Sequence, residues 1–333
     1  MHTNTALRSK DHPITAALLL VAAVVAWAAT APAVAQTAAQ PSQIRILSGY
    51  PAGGGGDVTA RALAEALQAK LGVTVIVENK PGAGGNLASQ ALKSAPADGS
   101  VYMLASDQVY IAPITMKSPG FEPQRDFSVV AGINTFDLCL GVATPSVSAT
   151  TLAEWLAQAG KDPKLASFGV PAPGSLPQFF GYVIGQQAGV SLNPVAYRGA
   201  APMVTDLAAG HVPAAIGPCR DMAAQRQAGK VRLLAAVQKL PYAPEVPTFA
   251  ELGQRMLTPN WLGLFAPAGM APARQQAMES AVRELLQDET FRNRMVGAGF
   301  TPRFVAGKEL SAQALEAAAF WAVQIRDSGF KAE

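Results

Sequence analysis

Three stretches of this chain place glycine between an apolar run and a helical pattern. They are 50–57 (YPAGGGGD), 79–86 (NKPGAGGN) and 169–177 (GVPAPGSLP). Glycine lets the backbone come close to a ligand and adopt positive φ. The start of a helix carries unpaired N–H groups and the positive end of the helix dipole. A glycine loop that opens a helix can therefore bind an anion with backbone alone. In an open α/β sheet such loops lie at the carboxyl ends of the strands, where ligands bind. A nucleotide is a poor match. Counting G-x-G-x-x-G from Gly53 puts Val58 at the sixth position, and from Gly82 it puts Leu87 there. The lysine of a P-loop is missing as well. The alternative, that the glycines only make tight strand-to-helix turns, has to explain three loops of one design.

The rest of the inventory offers little other chemistry. There are three histidines, His2, His12 and His211, and two of them precede residue 35. His211 lies in AAGHVPAA and reads as a solvated turn residue. A serine or cysteine nucleophile needs a base held by a further group. A hydrolase built on Ser106 or Ser175 therefore lacks its histidine, and neither serine lies in a G-x-S-x-G elbow. No HExxH, CxxC or aspartate-rich loop supports a metal. The two cysteines, Cys139 and Cys219, are too few for a disulfide framework, and their apolar or loop context favours free thiols.

The elements that must position these loops follow from periodicity. Strand patterns at 44–48, 73–78 and 101–106 alternate with helical patterns at 58–71 and 87–94, with Asn86 expected as a cap. Leu63, Leu67 and Leu71 share one helix face. This β-α-β-α-β order implies a parallel sheet with helices on its faces. The segment 113–127 reads as irregular. Strands at 129–133 and 138–143 precede a second α/β series through 237. Then come a proline-rich stretch at 240–260, a strand at 261–266 and helices at 272–286, 289–298 and 310–327.

At the N-terminus, Arg8 and Lys10 precede an apolar run at 16–29 and an A-x-A pattern ending at Ala35. That is the layout of a cleavable secretory signal peptide over 1–35. The run is short for a membrane anchor. Cleavage would leave about 298 residues, enough for one or two domains, and lower the formal charge from +3 to +2. Half the residues are apolar and 15% are charged, so a large core can be buried. The balance gives no electrostatic case for nucleic acid.

YPAGGGGDVTARALAEALQAKLG, VIVENKPGAGGNLASQALKSAPADG and YRGAAPMVTDLAAG resemble the signature segments of the Bug/TctC family. These are periplasmic substrate-binding proteins of tripartite tricarboxylate transporters. FGVPAPGSLPQ, GKVRLLAAV, LPYAPEVPTFAELG and WLGLFAPAGMAP agree, so the resemblance runs from about Ile44 to Phe330. It implies a type II periplasmic-binding-protein (Venus flytrap) fold: two domains, each a three-layer α/β/α sandwich, joined by two crossing strands at 138–143 and 261–266. Domain one would be 43–141 plus 261–333, and domain two 142–260. A small carboxylate would sit in the cleft without cofactor or metal. The receptor would be a non-enzymatic monomer in the periplasm. It would deliver its ligand to membrane transporter subunits or, alternatively, to the outer domain of a sensor kinase. The resemblance assigns the ligand to Tyr50, Ala52, Gly53 and Asp57 in loop one and to Gly82, Ala83, Gly84 and Gly85 in loop two. It adds Ser106 at a strand end, and Gly174, Ser175, Tyr197, Gly199 and Ala200 from domain two. Asp57 also suits the N-cap of its helix, Tyr197 suits either stacking on a ligand or packing at a strand end, and Arg198 suits either a second carboxylate or solvent. Where the family often has a polar pair after GHVPAAI, this chain has Gly217 and Pro218, followed by Cys219 and Arg220.

Overall fold

Alternation of strand and helix resolves into two sheets. The computed structural model describes residues 1–2, 41–254 and 260–332, and the chain from Pro41 onward forms one compact unit. The segment read as a signal peptide therefore falls, from residue 3, outside the described residues.

The first lobe opens with β1 (Gln43–Ser48), α1 (Gly55–Leu71), β2 (Thr74–Asn79) and a 3-10 turn at Ala83–Gly85. It continues with α2 (Asn86–Lys93), β3 (Val101–Ser106), α3 (Gln108–Thr115), α4 (Pro123–Asp126) and β4 (Phe127–Phe136). The second lobe comprises β5 (Leu138–Ala143), α5 (Leu152–Ala159), β6 (Ser167–Val170), α6 (Leu176–Ala188) and β7 (Asn193–Ala196). Next come α7 (Ala200–Ala209), β8 (Ala214–Pro218), α8 (Cys219–Gln227) and β9 (Val231–Ala236). The chain then supplies β10 (Asn260–Pro267), α9 (Pro272–Leu285), α10 (Glu289–Gly297), β11 (Thr301–Ala306) and α11 (Gly307–Asp327).

The first sheet has the order β11-β4-β10-β3-β1-β2, and the second β7-β6-β8-β5-β9. In the first, β1 runs parallel to β2 and β3; in the second, β6 runs parallel to β7 and β8. Each sheet is covered on both faces because its central strands are apolar at nearly every position and alternate residues go to opposite layers. Tyr102 and Leu104 of β3 pack with Leu63 and Leu67 of α1, while Val101 and Met103 pack with Leu92 of α2 and Leu310 of α11. Leu138, Leu140 and Val142 of β5 face α5 and α6, while Cys139 and Ala143 face α7 and α8. Full burial of a leucine such as Leu63 or Leu67 contributes roughly 1.5–3 kcal/mol. These are two mixed α/β sandwiches, the two-domain α/β binding-protein fold that the resemblance implied.

Several expectations are corrected. Strand 138–143 does not cross between lobes. It pairs with β8 and β9 along its whole length, so the chain leaves the first sheet at Asp137. β10 belongs entirely to the first sheet, so strand 261–266 does not cross between lobes either; residues 255–259 before it lie outside the described residues. The stretch expected to be irregular holds the end of α3, with Pro113 inside that helix, and all of α4, and β11 was not expected at all. β11 contains Pro302 and lies at the sheet edge, where a missing N–H is tolerated. The C-terminal segment is not confined to the first lobe. Trp321 and Ile325 of α11, and Ile111 of α3, join the core of α5 and α6.

The cysteines are not free thiols. Cys139 and Cys219 form a disulfide, with Cα atoms 4.9 Å apart. Cys139 stands opposite Gly217 in the antiparallel β5–β8 pair, and Cys219 follows two residues on, where β8 passes into α8. Pairing of two strands brings together residues separated by 80 positions in sequence.

Candidate functional site

Loop one leaves the carboxyl end of β1. A Cβ at Gly49 would lie 2.7 Å from the Cα of Gly85, so loops one and two touch backbone to backbone. Gly53 has φ of 81° with nothing near a Cβ position, so its requirement is conformational. Gly56 is the opposite case: a Cβ there would lie 2.2 Å from the Tyr50 ring. The ring of Tyr50 thus packs directly on the first turn of α1. Ala52, between them, is exposed.

Asp57, buried at the third position of α1, holds the loop together. Its Oδ2 accepts from the Gly53 N–H and from Arg61 Nε, both at 2.9 Å, and its Oδ1 accepts from the Asn79 amide at 2.7 Å. The same Asn79 amide nitrogen donates to the Tyr50 carbonyl at 3.0 Å. Burial alone would raise the Asp57 pKa, but the donors Arg61, Asn79 and Gly53 outweigh it and hold the carboxylate below its usual range. The N-cap position belongs to Gly54, not to Asp57. Gly53 and Gly54 spend their N–H groups within the loop, on Asp57 and on the Pro51 carbonyl. Helix geometry leaves the amides of Gly55, Gly56 and Asp57 without an acceptor inside α1.

Loop two carries Gly82, Gly84 and Gly85 at positive φ and turns through Ala83–Gly85 into α2. Gly85 occupies the cap position expected for Asn86. Asn86 instead lies buried in the first turn and donates to the Pro119 carbonyl at 2.8 Å. A cavity of about 20 Å³, the scale of one water, separates this loop from Tyr50, Ser106 and Gln108.

Beyond β3 the chain reads Ser106, Asp107, Gln108. The Ser106 hydroxyl accepts from the Gln108 N–H at 3.3 Å. The Gln108 side chain crosses to the other lobe and donates to the Gly174 carbonyl at 3.1 Å. Asn260 donates to both Asp107 oxygens, at 3.1 and 2.9 Å. Burial pushes the Asp107 carboxyl up to about 7, against the opposing pull of Asn260, Gln108 and Ser106. Burial also raises the Tyr50 phenol; Ser106 opposes this and the Asp107 charge adds to it.

In the second lobe the loop after β6 contains Gly174 and Ser175. Gly174 donates its N–H to Gln178 Oε1 at 2.9 Å, and the Ser175 hydroxyl donates to the Ala172 carbonyl at 2.6 Å. After β7, Tyr197 turns its ring toward Gly169 of its own sheet and donates its hydroxyl to Asp206 at 3.0 Å. Burial and the Asp206 partner push its pKa up to about 12. Gly199 donates to the Pro171 carbonyl at 2.8 Å, and Ala200 begins α7. Arg198 and His211 are exposed. Neither Ser106 nor Ser175 pairs with a histidine among the described residues.

These loops all leave the carboxyl ends of parallel strands, three in the first lobe and two in the second. Two bridges show that the two edges face one another: Gln108 to Gly174, and Arg220, just after β8, to Phe300. Gln108, Asp107 and Arg220 were not among the expected site residues. Their roles depend on the opposed lobe, and nothing in their own spacing signals it.

Two α/β lobes with glycine loops opposed across such an edge define a solute-binding protein of the two-lobed class. Residues 59–329 match the model of the tripartite tricarboxylate transporter family receptor, TctC, and the chain belongs to that family. A protein of the UPF0065 group from Bordetella bronchiseptica is 32% identical over 284 residues, covering 84% of each chain. The structure of the periplasmic binding protein BugD is similar at a TM-score of 0.78 with 26% identity, covering 87% of this chain and 99% of that one. R. palustris Rpa4515, solved with adipate, is similar at 0.80 with 25% identity, covering 87% and 98%.

Proposed function

We propose that this protein is a periplasmic receptor that captures a small organic carboxylate between its lobes. It then delivers the ligand to the membrane subunits of a tripartite tricarboxylate-type transporter. The observation that carries the reading is the meeting of loops one and two at Gly49 and Gly85. That junction sets the start of loop one against the N-terminus of α2, and Gln108 beside it reaches Gly174 of the other lobe. Backbone amides there suit a carboxylate, and the likeness to an adipate-bound protein supports that chemistry. In this reading Asp57 shapes loop one, Tyr50 and Ser106 line the junction, and the lobe built on β1–β4, β10 and β11 closes on the lobe built on β5–β9 by rotation near Asp137. Residues 1–35 direct export and are removed.

Protein refolded free of bound ligand should gain melting temperature with one or more organic acids, because a ligand that binds only the native state stabilises it. At one hundred times Kd the gain corresponds to about 2.7 kcal/mol. A broad panel of mono-, di- and tricarboxylates that leaves the melting temperature unmoved would defeat the proposal.

A further inference from the structure

Asn79 is the last residue of β2 and the root of loop two, and pairing of β2 with β1 sets it beside Ser48. Its amide nitrogen donates to both ends of loop one: to the Tyr50 carbonyl at 3.0 Å and to Asp57 Oδ1 at 2.7 Å. Its oxygen accepts from Arg61 Nη2 at 3.0 Å, and Arg61 also holds Asp57 through Nε at 2.9 Å. These partners fix the amide one way round. Reversed, its oxygen would face the Asp57 carboxylate and the Tyr50 carbonyl, and its nitrogen would face the Arg61 guanidinium. Both amide hydrogens are used in this arrangement, so Asn79 has no donor left for a ligand.

Between the two tied ends lie Gly53, Gly54, Gly55 and Gly56. Glycine gives up more backbone freedom on ordering than any other residue. A ligand that had to order this loop itself would bind more weakly, by the fraction of time the binding geometry is already formed. The bonds inside the loop, Gly53 to Asp57 and Gly54 to Pro51, close short turns only. Asn79 alone among these partners joins the entry of loop one, its exit and the root of loop two. The other end of loop two meets the chain just before loop one, where Gly85 touches Gly49. Loop two is thus fixed to loop one at its root and at its end. Resting on the function proposed above, we propose that Asn79 is a positioning residue for carboxylate binding. It holds loop one closed and aligned with loop two before the ligand arrives, and does not touch the ligand.

The test measures the affinity of succinate, adipate and monomethyl adipate by calorimetry, with a melting temperature for each protein. The proteins are wild type, Asn79→Ala, Asn79→Asp, and Asn79→Asp combined with Asp57→Asn. Arg61→Gln, at a side chain that is half exposed, serves should the Asn79 variants fold poorly. Asn79→Ala should weaken every ligand that wild type binds by the same factor, about tenfold, as expected for two hydrogen bonds of ordinary strength. Its binding entropy should become less favourable, because the ligand now orders the loop. Arg61→Gln should act in the same uniform way and more weakly. The combined variant again sets a donor against an acceptor between positions 57 and 79, but leaves an oxygen facing the Tyr50 carbonyl. It should recover most of the melting temperature lost by Asn79→Asp alone, while its affinity stays low. Affinity that returns together with melting temperature would reduce Asn79 to a structural residue and overturn the proposal. Unequal losses among the ligands would show that Asn79 contacts them, and unchanged affinity in Asn79→Ala would show that the loop forms without it; either overturns the proposal while the receptor reading stands. Failure of wild type to bind any carboxylate would remove both.

Discussion

Gly56 sits beneath the Tyr50 ring with no room for a single methyl group. The ring cannot retreat cheaply, because the Tyr50 carbonyl is tied to Asn79 and its phenol is buried near Ser106. Gly56→Ala should therefore destabilise the protein by about 1–3 kcal/mol, the usual cost of overpacking. Denaturant titration measures this. In a Tyr50→Ala background the same change should cost far less, since the clash is with the ring. Equal costs in both backgrounds would show that the methyl group meets something else. Loop one is thus built by two different demands on glycine: Gly53 for its backbone angle and Gly56 for space.

At the scale of elements, the β5–β8 pair and the start of α8 are held by the Cys139–Cys219 disulfide. Both cysteines are fully buried, and the bond closes a loop of 80 residues. Chain-entropy arguments give about 4–5 kcal/mol for a loop of that length, as an upper value. The double variant Cys139→Ser, Cys219→Ser should unfold at lower denaturant than wild type by up to that amount. Wild type under strong reductant, once unfolded, should refold to the same reduced stability. A denaturation midpoint unaffected by reductant in the unfolding buffer would refute the bond's contribution. The bond also fixes the turn from which Arg220 projects, one residue beyond Cys219.

At the scale of the whole molecule, two lobes meet along more than a hinge. α11 packs Leu310 and Ala314 into the first lobe and Trp321 and Ile325 into the second, and Phe330 meets Phe179 edge-on at 5.1 Å. Any closure must rotate about this shared apolar contact. In the first lobe, Asp107 at the end of β3 and Asn260 at the start of β10 are joined. The folded Asp107 carboxyl titrates at about 7, well above the unfolded value near 3.9. Between those values the native state holds a proton that the unfolded chain has lost. Stability therefore falls as pH rises from about 4 to about 7, and levels off above. Asp137, pushed up to about 6 by burial, acts the same way over the lower part of that range. Carboxylates held low, such as Asp57, act with the opposite sign only in more acid solution. Asp107→Asn should flatten the profile between pH 4 and 7, and Asn260 Oδ1, buried without a partner, can accept from the new amide. Melting curves across that range for both proteins test this; a variant as pH-dependent as wild type would contradict it.

Local pattern carried most of the elements. Strand β3 falls at the bounds its pattern implies and helix α1 ends at Leu71 as expected, because an apolar run of strand length and a 3.6-residue stripe survive folding unchanged. The glycine loops were legible too, since a run of glycines before a helical stripe has few other uses. The sequence by itself therefore determined two α/β sandwiches and loops suited to an anion. Pairings between distant residues were not legible, because sequence spacing says nothing about which strands become neighbours. Only the tertiary structure joined Cys139 to Cys219, moved the crossing to Asp137 and laid α11 across both lobes. It also turned Tyr197 into its own sheet and brought Arg220, from the opposite lobe, against the first turn of α1. Each of these is a contact between surfaces that exist only once distant segments have paired.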